Sequence, residues 1–316
     1  MKNQNKKKSL SKSNLLTGDR KTLPKIKVIT DSTSDIPEEL VKKYDIDVVP
    51  LNIFFGEERY KDGINITAKE VYERLKTQKN PWPKTSQPSA REFLEYYNRA
   101  FDQGYETVFS IHISSNLSGT LNSVNLAKQM LPDKDIIAID SISVTHPLGL
   151  LACEVAKLVK EDKSRDEILN IIENRFRNNN HICGIVDTLE YLHRGGRIGR
   201  AKKLLGNLLN MKPVLEVADG LVTSFGKTKG FDEGFNNMVR MASKIFEKCF
   251  TEEIWLGFAG DNEYTQKYYK AIKELPNAPK EIRVVEIGPT VGVHLGPGVM
   301  TISWIGDWNN KWFFEK

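Results

Sequence analysis

From Ile26 to about Asn178 the chain alternates short β-branched runs with amphipathic stretches, and the runs end in clusters of small polar residues. IKVITDSTSD leads into EELVKKY, and TVFSIHISSNLSGT leads into helical apolar spacing from about Ser118 onward. DIIAID is followed by two further helical segments ending near Asn178. Strand and helix periods taking turns at this spacing require crossover connections. The expected product is a largely parallel sheet with helices on both faces. Thr67 and Ser89 sit where they would cap the helices over ITAKEVYERLKT and SAREFLEYYNRAF.

Beyond the Asn178–Asn180 run the pattern mixes hairpins with helices. A strand, a helix and a Gly-rich break precede RIGRAKKLLGNLLNM, whose Leu204, Leu205, Leu208 and Leu209 suggest the buried stripe of an amphipathic helix. Asp219-Gly220 is a hairpin signal between two strand-like runs. A long helix over Phe231–Cys249, the strand IWLGFAG, a helix over Glu263–Glu274 and the run RVVEIGPTVGVHLGPGVMTISWIG complete the chain. The fold class expected is α/β in two domains, residues 26–180 with a largely parallel sheet and 181–316 with a mixed one, preceded by a disordered basic tail at 1–25.

Charge is unevenly distributed. Of 46 Lys and Arg and 41 Asp and Glu in the 316 residues, the first 25 residues hold eight and one. The tail therefore carries +7 and the remainder −2, so the net +5 gives no basic folded face of the kind nucleic acid requires. No run approaches the roughly 18 apolar residues of a membrane span. The tail's Leu15-Leu16 cannot make a signal-peptide core, and the widely spaced Cys153, Cys183 and Cys249 suit reduced thiols. A cytoplasmic protein without metal or cofactor is expected, with no stable membrane insertion.

Polar clusters at Asp31–Asp35, Thr85–Ser89, Ser114–Thr120 and Gly288–Gly298 fall where apolar strands end, which is where open α/β sheets bind ligands. In ISSNLSGT, Ser118 is placed as a helix N-cap, with the Gly119 and Thr120 amides free to meet an anionic oxygen. A plain cap is the competing reading. His294 lies in GPTVGVHLGPG, where four glycines and two prolines predict a tight, unusual backbone; an anion donor, a base and a polar niche all remain open for it. His112 reads as a satisfied core histidine. The arginines of RGGRIGRAKK form a basic edge suited to a protein, a phosphate or solvent. Phosphate-loop, GxSxG and GxGxxG motifs are absent.

Five segments in order, ITDSTSDIP at Ile29–Pro37, TSQPS at Thr85–Ser89, ISSNLSGT at Ile113–Thr120, DTLEYLHRGGRIG at Asp187–Gly199 and GVHLGPG at Gly292–Gly298, resemble the DegV family. The similarity runs from about Lys25 to about Ile305. The resemblance implies a two-domain α/β protein of the EDD fold that holds one long-chain fatty acid between its domains. It further implies presentation of the carboxylate to a separate dihydroxyacetone kinase-like, ATP-dependent fatty acid kinase subunit, which makes acyl phosphate. Carried over by residue, it puts the carboxylate near Thr85, Ser86, Ser118, Gly119 and His294, held without an Arg clamp, and assigns Arg194 and Arg197 to partner docking. The chain departs from the family at Thr145, His146 and Pro147, where many members have a Ser-Met-Gly-type turn. An acyl ester or thioester hydrolase, with His294 as base for Ser118, is the alternative from another class.

Overall fold

The computed structural model describes residues 24–77, 80–206, 210–260 and 263–315. Most of the basic tail, and Leu208 and Leu209, lie outside the described residues. β1 (Ile26–Asp31) passes through a 3-10 turn into α1 (Glu38–Tyr44), and β2 (Ile46–Val49) returns parallel to β1. Pro50 then breaks the strand. The chain leaves the sheet as a hairpin of β3 (Asn52–Phe55) and β4 (Glu58–Lys61), followed by α2 (Ala68–Thr77), which Thr67 and Glu70 cap reciprocally. β5 (Lys84–Ser86) comes back to pair antiparallel with β3. This small sheet, β4-β3-β5, is not foreshadowed by the sequence pattern.

α3 (Ala90–Asp102) opens on the capping box of Ser89 and Glu92, in line with the sequence reading. β6 (Thr107–His112), α4 (Thr120–Gln129), β7 (Asp135–Asp140), α5 (His146–Lys160) and α6 (Arg165–Ile171) follow. The strands order β2-β1-β6-β7 with every pair parallel. Phe93 and Tyr97 of α3 and Val124 of α4 cover one face; Leu40 of α1 and Leu148 and Leu151 of α5 cover the other. α5 is apolar nearly all round because a second sheet closes its far side.

That second sheet begins with β8 (Asn180–Val186), which α7 (Glu190–Arg194) follows, and continues through the hairpin β9 (Met211–Ala218) and β10 (Leu221–Lys229). The hairpin turns on Asp219 and Gly220, both at positive φ, as the sequence predicted. α8 (Gly230–Lys248), β11 (Glu253–Ala259), α9 (Tyr264–Lys273), β12 (Glu281–Glu286), α10 (Pro289–Leu295) and β13 (Val299–Ile305) complete it. The order β10-β9-β8-β13-β11-β12 is mixed, with only β11 and β12 parallel. Cys183, Ile185, Met300 and Ile302 point to the face beneath α8 and α9. By the period-two rule, Ile182, Gly184, Val186, Val299 and Thr301 point the other way, toward the parallel sheet.

Three local expectations are corrected. The helix after ISSNLSGT takes Gly119 as its N-cap, one residue later than placed, and Ser118 Oγ accepts the Thr120 amide, so that amide is not free. GPTVGVHLGPG, expected to take a tight, unusual backbone, forms a short regular helix: Pro289, with φ preset for a first helical turn, opens α10, and Gly296 at φ 71 ends it. The Gly-rich basic segment makes a 3-10 helix over Gly199–Leu204 in place of an amphipathic α-helix, with Leu204 and Leu205 only partly buried.

Candidate functional site

Between the parallel sheet and the inward face of the mixed sheet lies a cavity of about 910 Å³ of atom-free space, its open mouth included. Cross-strand pairs build its floor: Val186 with Val299, Gly184 with Thr301, and Gly184 with Leu215. Ile113, Leu117 and Val144, from loops at the carboxyl ends of the parallel strands, form the opposite wall; Val222 of β10 and Val291 and Leu295 of α10 add to it. The interior surface is therefore mostly aliphatic.

Polar groups gather at one side. Thr85 and Ser86 arrive on β5, held by pairing with Ile53 and Asn52 of β3. The Asn52 side-chain amide donates to Ser86 Oγ at 3.1 Å, which leaves the Ser86 proton for another acceptor. His294 arrives in the last turn of α10, and its Nε2 meets Thr85 Oγ1 at 2.8 Å. Gly195 packs against the same ring so closely that a Cβ there would fall 2.3 Å from Nδ1, a nitrogen that has no hydrogen-bond partner. Burial, aided by the Arg197 charge, pushes the His294 pKa down to about 4. The imidazole is neutral at pH 7 and carries one N–H.

Arg197 lines the same cavity, anchored by Nε to the Leu117 carbonyl at 3.2 Å and by Nη1 to the Gly195 carbonyl at 2.8 Å. The sequence reading expects no strong Arg clamp; a cation nevertheless stands in the lining, with part of its fork committed to backbone. Arg194 stands outside the cavity lining, 4.2 Å over the Trp82 ring and 3.5 Å from Glu190. Trp82 also contacts Tyr191 at 5.4 Å, so the Pro-rich segment before β5 clasps α7 beside the mouth.

Ser118 lines the cavity, its Oγ 2.9 Å from Thr120 Oγ1. Gly119 lies beside Gln87, where a Cβ would come within 2.8 Å of the Gln87 amide nitrogen; Gln87 itself lines the cavity. No hydrogen bond joins Ser118 to His294 among the described residues: Ser118 Oγ meets Thr120 Oγ1, and His294 Nε2 meets Thr85 Oγ1.

The Asp31–Asp35 cluster serves chiefly as bracing. Asp31 accepts from His112 Nδ1 at 2.9 Å and from the Ile113 amide at 3.1 Å, so His112 is a satisfied core histidine as expected. Asp35 accepts from Thr145 Oγ1 at 2.5 Å and from the Gly288 amide, and burial drives its pKa well up. Asp62, which sequence reasoning missed, accepts from Ser32 Oγ at 2.8 Å and from the Thr290 amide at 3.3 Å; burial raises it to about 6. These two carboxylates tie the start of α10, and through it His294, to the N-terminal half. The Asp219-Gly220 turn is fixed the same way, its carbonyls accepting from Asn116 Nδ2 and Ser114 Oγ at 2.9 Å each. Sequence reasoning also missed Leu117 and Gln87 in the cavity wall, although the motifs it singled out contain both.

The family model described as uncharacterised protein, DegV family, matches residues 25–307. A DegV domain-containing protein of Clostridium perfringens is 36% identical over 290 residues, covering 90% of this chain and all of the relative. One from Clostridium acetobutylicum is 32% identical over 281 residues, 88% of this chain and 98% of the relative. A solved DegV family protein from Thermus thermophilus, described as binding fatty acid, superposes with a TM-score of 0.82 at 30% identity, over 90% of this chain and 100% of that one. DegV from Bacillus subtilis, described as a fatty acid binding protein, has a TM-score of 0.78 at 29% identity, again over 90% and 100%.

Proposed function

Because this chain belongs to the DegV family, we propose that it binds one long-chain fatty acid in the cavity between its sheets and presents the carboxylate to a separate ATP-dependent fatty acid kinase subunit. The observation that carries the reading is a largely aliphatic cavity whose lining includes a hydrogen-bonded polar pair, Thr85 and His294. Relatives described as fatty acid binding, from Thermus thermophilus and Bacillus subtilis, support it. Burying sixteen carbons at about 0.8 kcal/mol per methylene gives on the order of 12 kcal/mol before the costs of association. The tail thus supplies most of the affinity, and the acid end needs only to be satisfied.

Thr85, Ser86, Ser118 and the neutral His294 offer hydroxyl and N–H partners to the carboxylate, the amide at Gly119 adjoins them, and Arg197 adds a positive charge. A carboxylate so held keeps lone pairs free to accept a phosphoryl group. Phosphoryl transfer depends mainly on positioning and charge stabilisation, and the sequence has no phosphate-loop motif. A dihydroxyacetone kinase-like subunit would bring ATP and its metal ions to the mouth. Arg194 and Arg197, exposed beside it, form the docking edge. No described helix is long and apolar enough to cross a membrane, in keeping with a carrier that meets its kinase in the cytoplasm.

The test is reconstitution. Lipid-loaded protein, the kinase subunit and ATP together should yield acyl phosphate, and omission of either protein should abolish it. Failure with a kinase that is active on another loaded carrier, or hydrolysis of acyl esters by the isolated protein, would overturn the proposal.

A further inference from the structure

Asn52 is a buried amide on β3, 3% exposed, at a strand position where asparagine is disfavoured and an apolar side chain would cost less. Its Oδ1 accepts twice from the exposed Arg59, from Nε at 3.2 Å and from Nη2 at 2.9 Å. A guanidinium has donors and no acceptor, so the Asn52 atom that faces it must be the oxygen. Nδ2 must then face Ser86, the register partner of Asn52 on β5, and it donates to Ser86 Oγ at 3.1 Å. The run from Arg59 through Asn52 to Ser86 thus has its direction fixed at the charged end.

Ser86 Oγ spends one lone pair on Asn52, and its proton meets no acceptor among the described residues. The residue lines the cavity next to Thr85, half-buried, where a head group held by the Thr85–His294 pair would be its acceptor. A carboxylate only accepts, so it suits such a donor, and its charge strengthens the bond. A neutral alcohol brings a proton of its own. If that proton went to the remaining lone pair of Ser86, the Ser86 proton would be left unpaired, at a cost in free energy.

Resting on the fatty acid reading above, we infer that Arg59 and Asn52 are positioning residues that hold Ser86 as a hydrogen-bond donor to the lipid head group, so that the site takes an ionised acid in preference to a neutral alcohol of the same length. Displacement of a fluorescent fatty acid by hexadecanoic acid and by hexadecan-1-ol, at pH 8 where the acid is ionised, gives the ratio of the two affinities. Ser86→Ala should lower the acid-to-alcohol ratio about tenfold. Asn52→Asp should lower it at least as far, because aspartate still accepts from Arg59 but takes the Ser86 proton with its second oxygen, which turns the hydroxyl from donor to acceptor. In the Ser86→Ala background Asn52→Asp should change the ratio less than about twofold, since its effect passes through the hydroxyl. Arg59→Met, at an exposed position, makes the same comparison if Asn52→Asp does not fold: it frees the amide to turn over and should lower the ratio only while Ser86 is present. A ratio unmoved by Ser86→Ala overturns the inference. So does an effect of Asn52→Asp or Arg59→Met that persists without the Ser86 hydroxyl, since charge alone then accounts for it. Failure of the unmodified protein to bind hexadecanoic acid removes the fatty acid reading itself, whereas binding with a ratio unmoved by Ser86→Ala removes only this inference.

Discussion

Nε2 of His294 lies 2.8 Å from Oγ1 of Thr85, across 209 positions of sequence. The contact joins α10, which feeds the mixed sheet, to β5 of the small N-terminal sheet, so the mouth exists only when both halves are assembled. With its pKa near 4 the ring acts as a neutral partner, and the pair supplies orientation where a full charge would hold the acid too firmly.

His294→Ala should weaken fatty acid binding about tenfold, the effect of one hydrogen bond lost from a partly desolvated carboxylate, with the thermal transition little changed. Thr85→Val should lose a similar amount. Displacement of a fluorescent fatty acid measures both, and unchanged affinity in both would remove these residues from the site.

Arg197→Ala should raise the His294 pKa, since removing a nearby cation makes protonation easier. The imidazole titration followed by NMR should move up from near pH 4 toward the ordinary range. A midpoint that stays in place would mean burial alone sets it.

Asp62→Asn tests the carboxylate that braces α10. The folded-state pKa of about 6 lies above the unfolded value of 3.8, so the folded chain binds more protons between these limits, and the Asp62 contribution to stability falls as pH rises through them. Asparagine can still accept from Ser32 and Thr290 and does not ionise. The stability of the variant relative to the parent should therefore increase on the order of 2 kcal/mol between pH 4.5 and 7.5 in urea unfolding. A difference independent of pH would contradict the assignment.

Leu215→Trp adds bulk to the cavity floor. It should weaken binding of an eighteen-carbon acid about tenfold or more and of a twelve-carbon acid less, because the shorter tail needs less of the cavity. Equal affinity for both chain lengths, unchanged from the parent protein, would place the tail elsewhere.

Much of the architecture was legible because it rests on local signals. Ser89 with Glu92, Asp219 with Gly220, and the alternation of apolar runs with amphipathic segments each specify a cap, a turn or a crossover without reference to the rest of the chain. What escaped depends on distant partners. β5 has three residues and becomes a strand only through β3. The glycines around His294 suggest a tight, unusual backbone, yet Gly292 sits in a helix where a Cβ would meet the Tyr72 hydroxyl at 2.9 Å, a contact from the other half of the chain. Gly199, at φ 52, lies against the Val222 backbone, and a 3-10 helix runs from it through Leu204 where the leucine spacing suggests an α-helix. Ser118, Thr85, Ser86 and His294, in the motifs the sequence singles out, all line the cavity. Arg197 both lines the cavity and stands on the exposed edge, a double placement the sequence does not reveal because it does not tell which way a loop arginine turns.

The central claim is that the space between the sheets holds one lipid tail with its acid end at the Thr85–His294 mouth. Native mass spectrometry of protein purified gently from a bacterial host addresses it directly. The predicted result is a single species heavier than the chain by one long-chain fatty acid, which is released on denaturation and retained less well by His294→Ala. A bare chain mass, together with failure to take up added fatty acid, would contradict it.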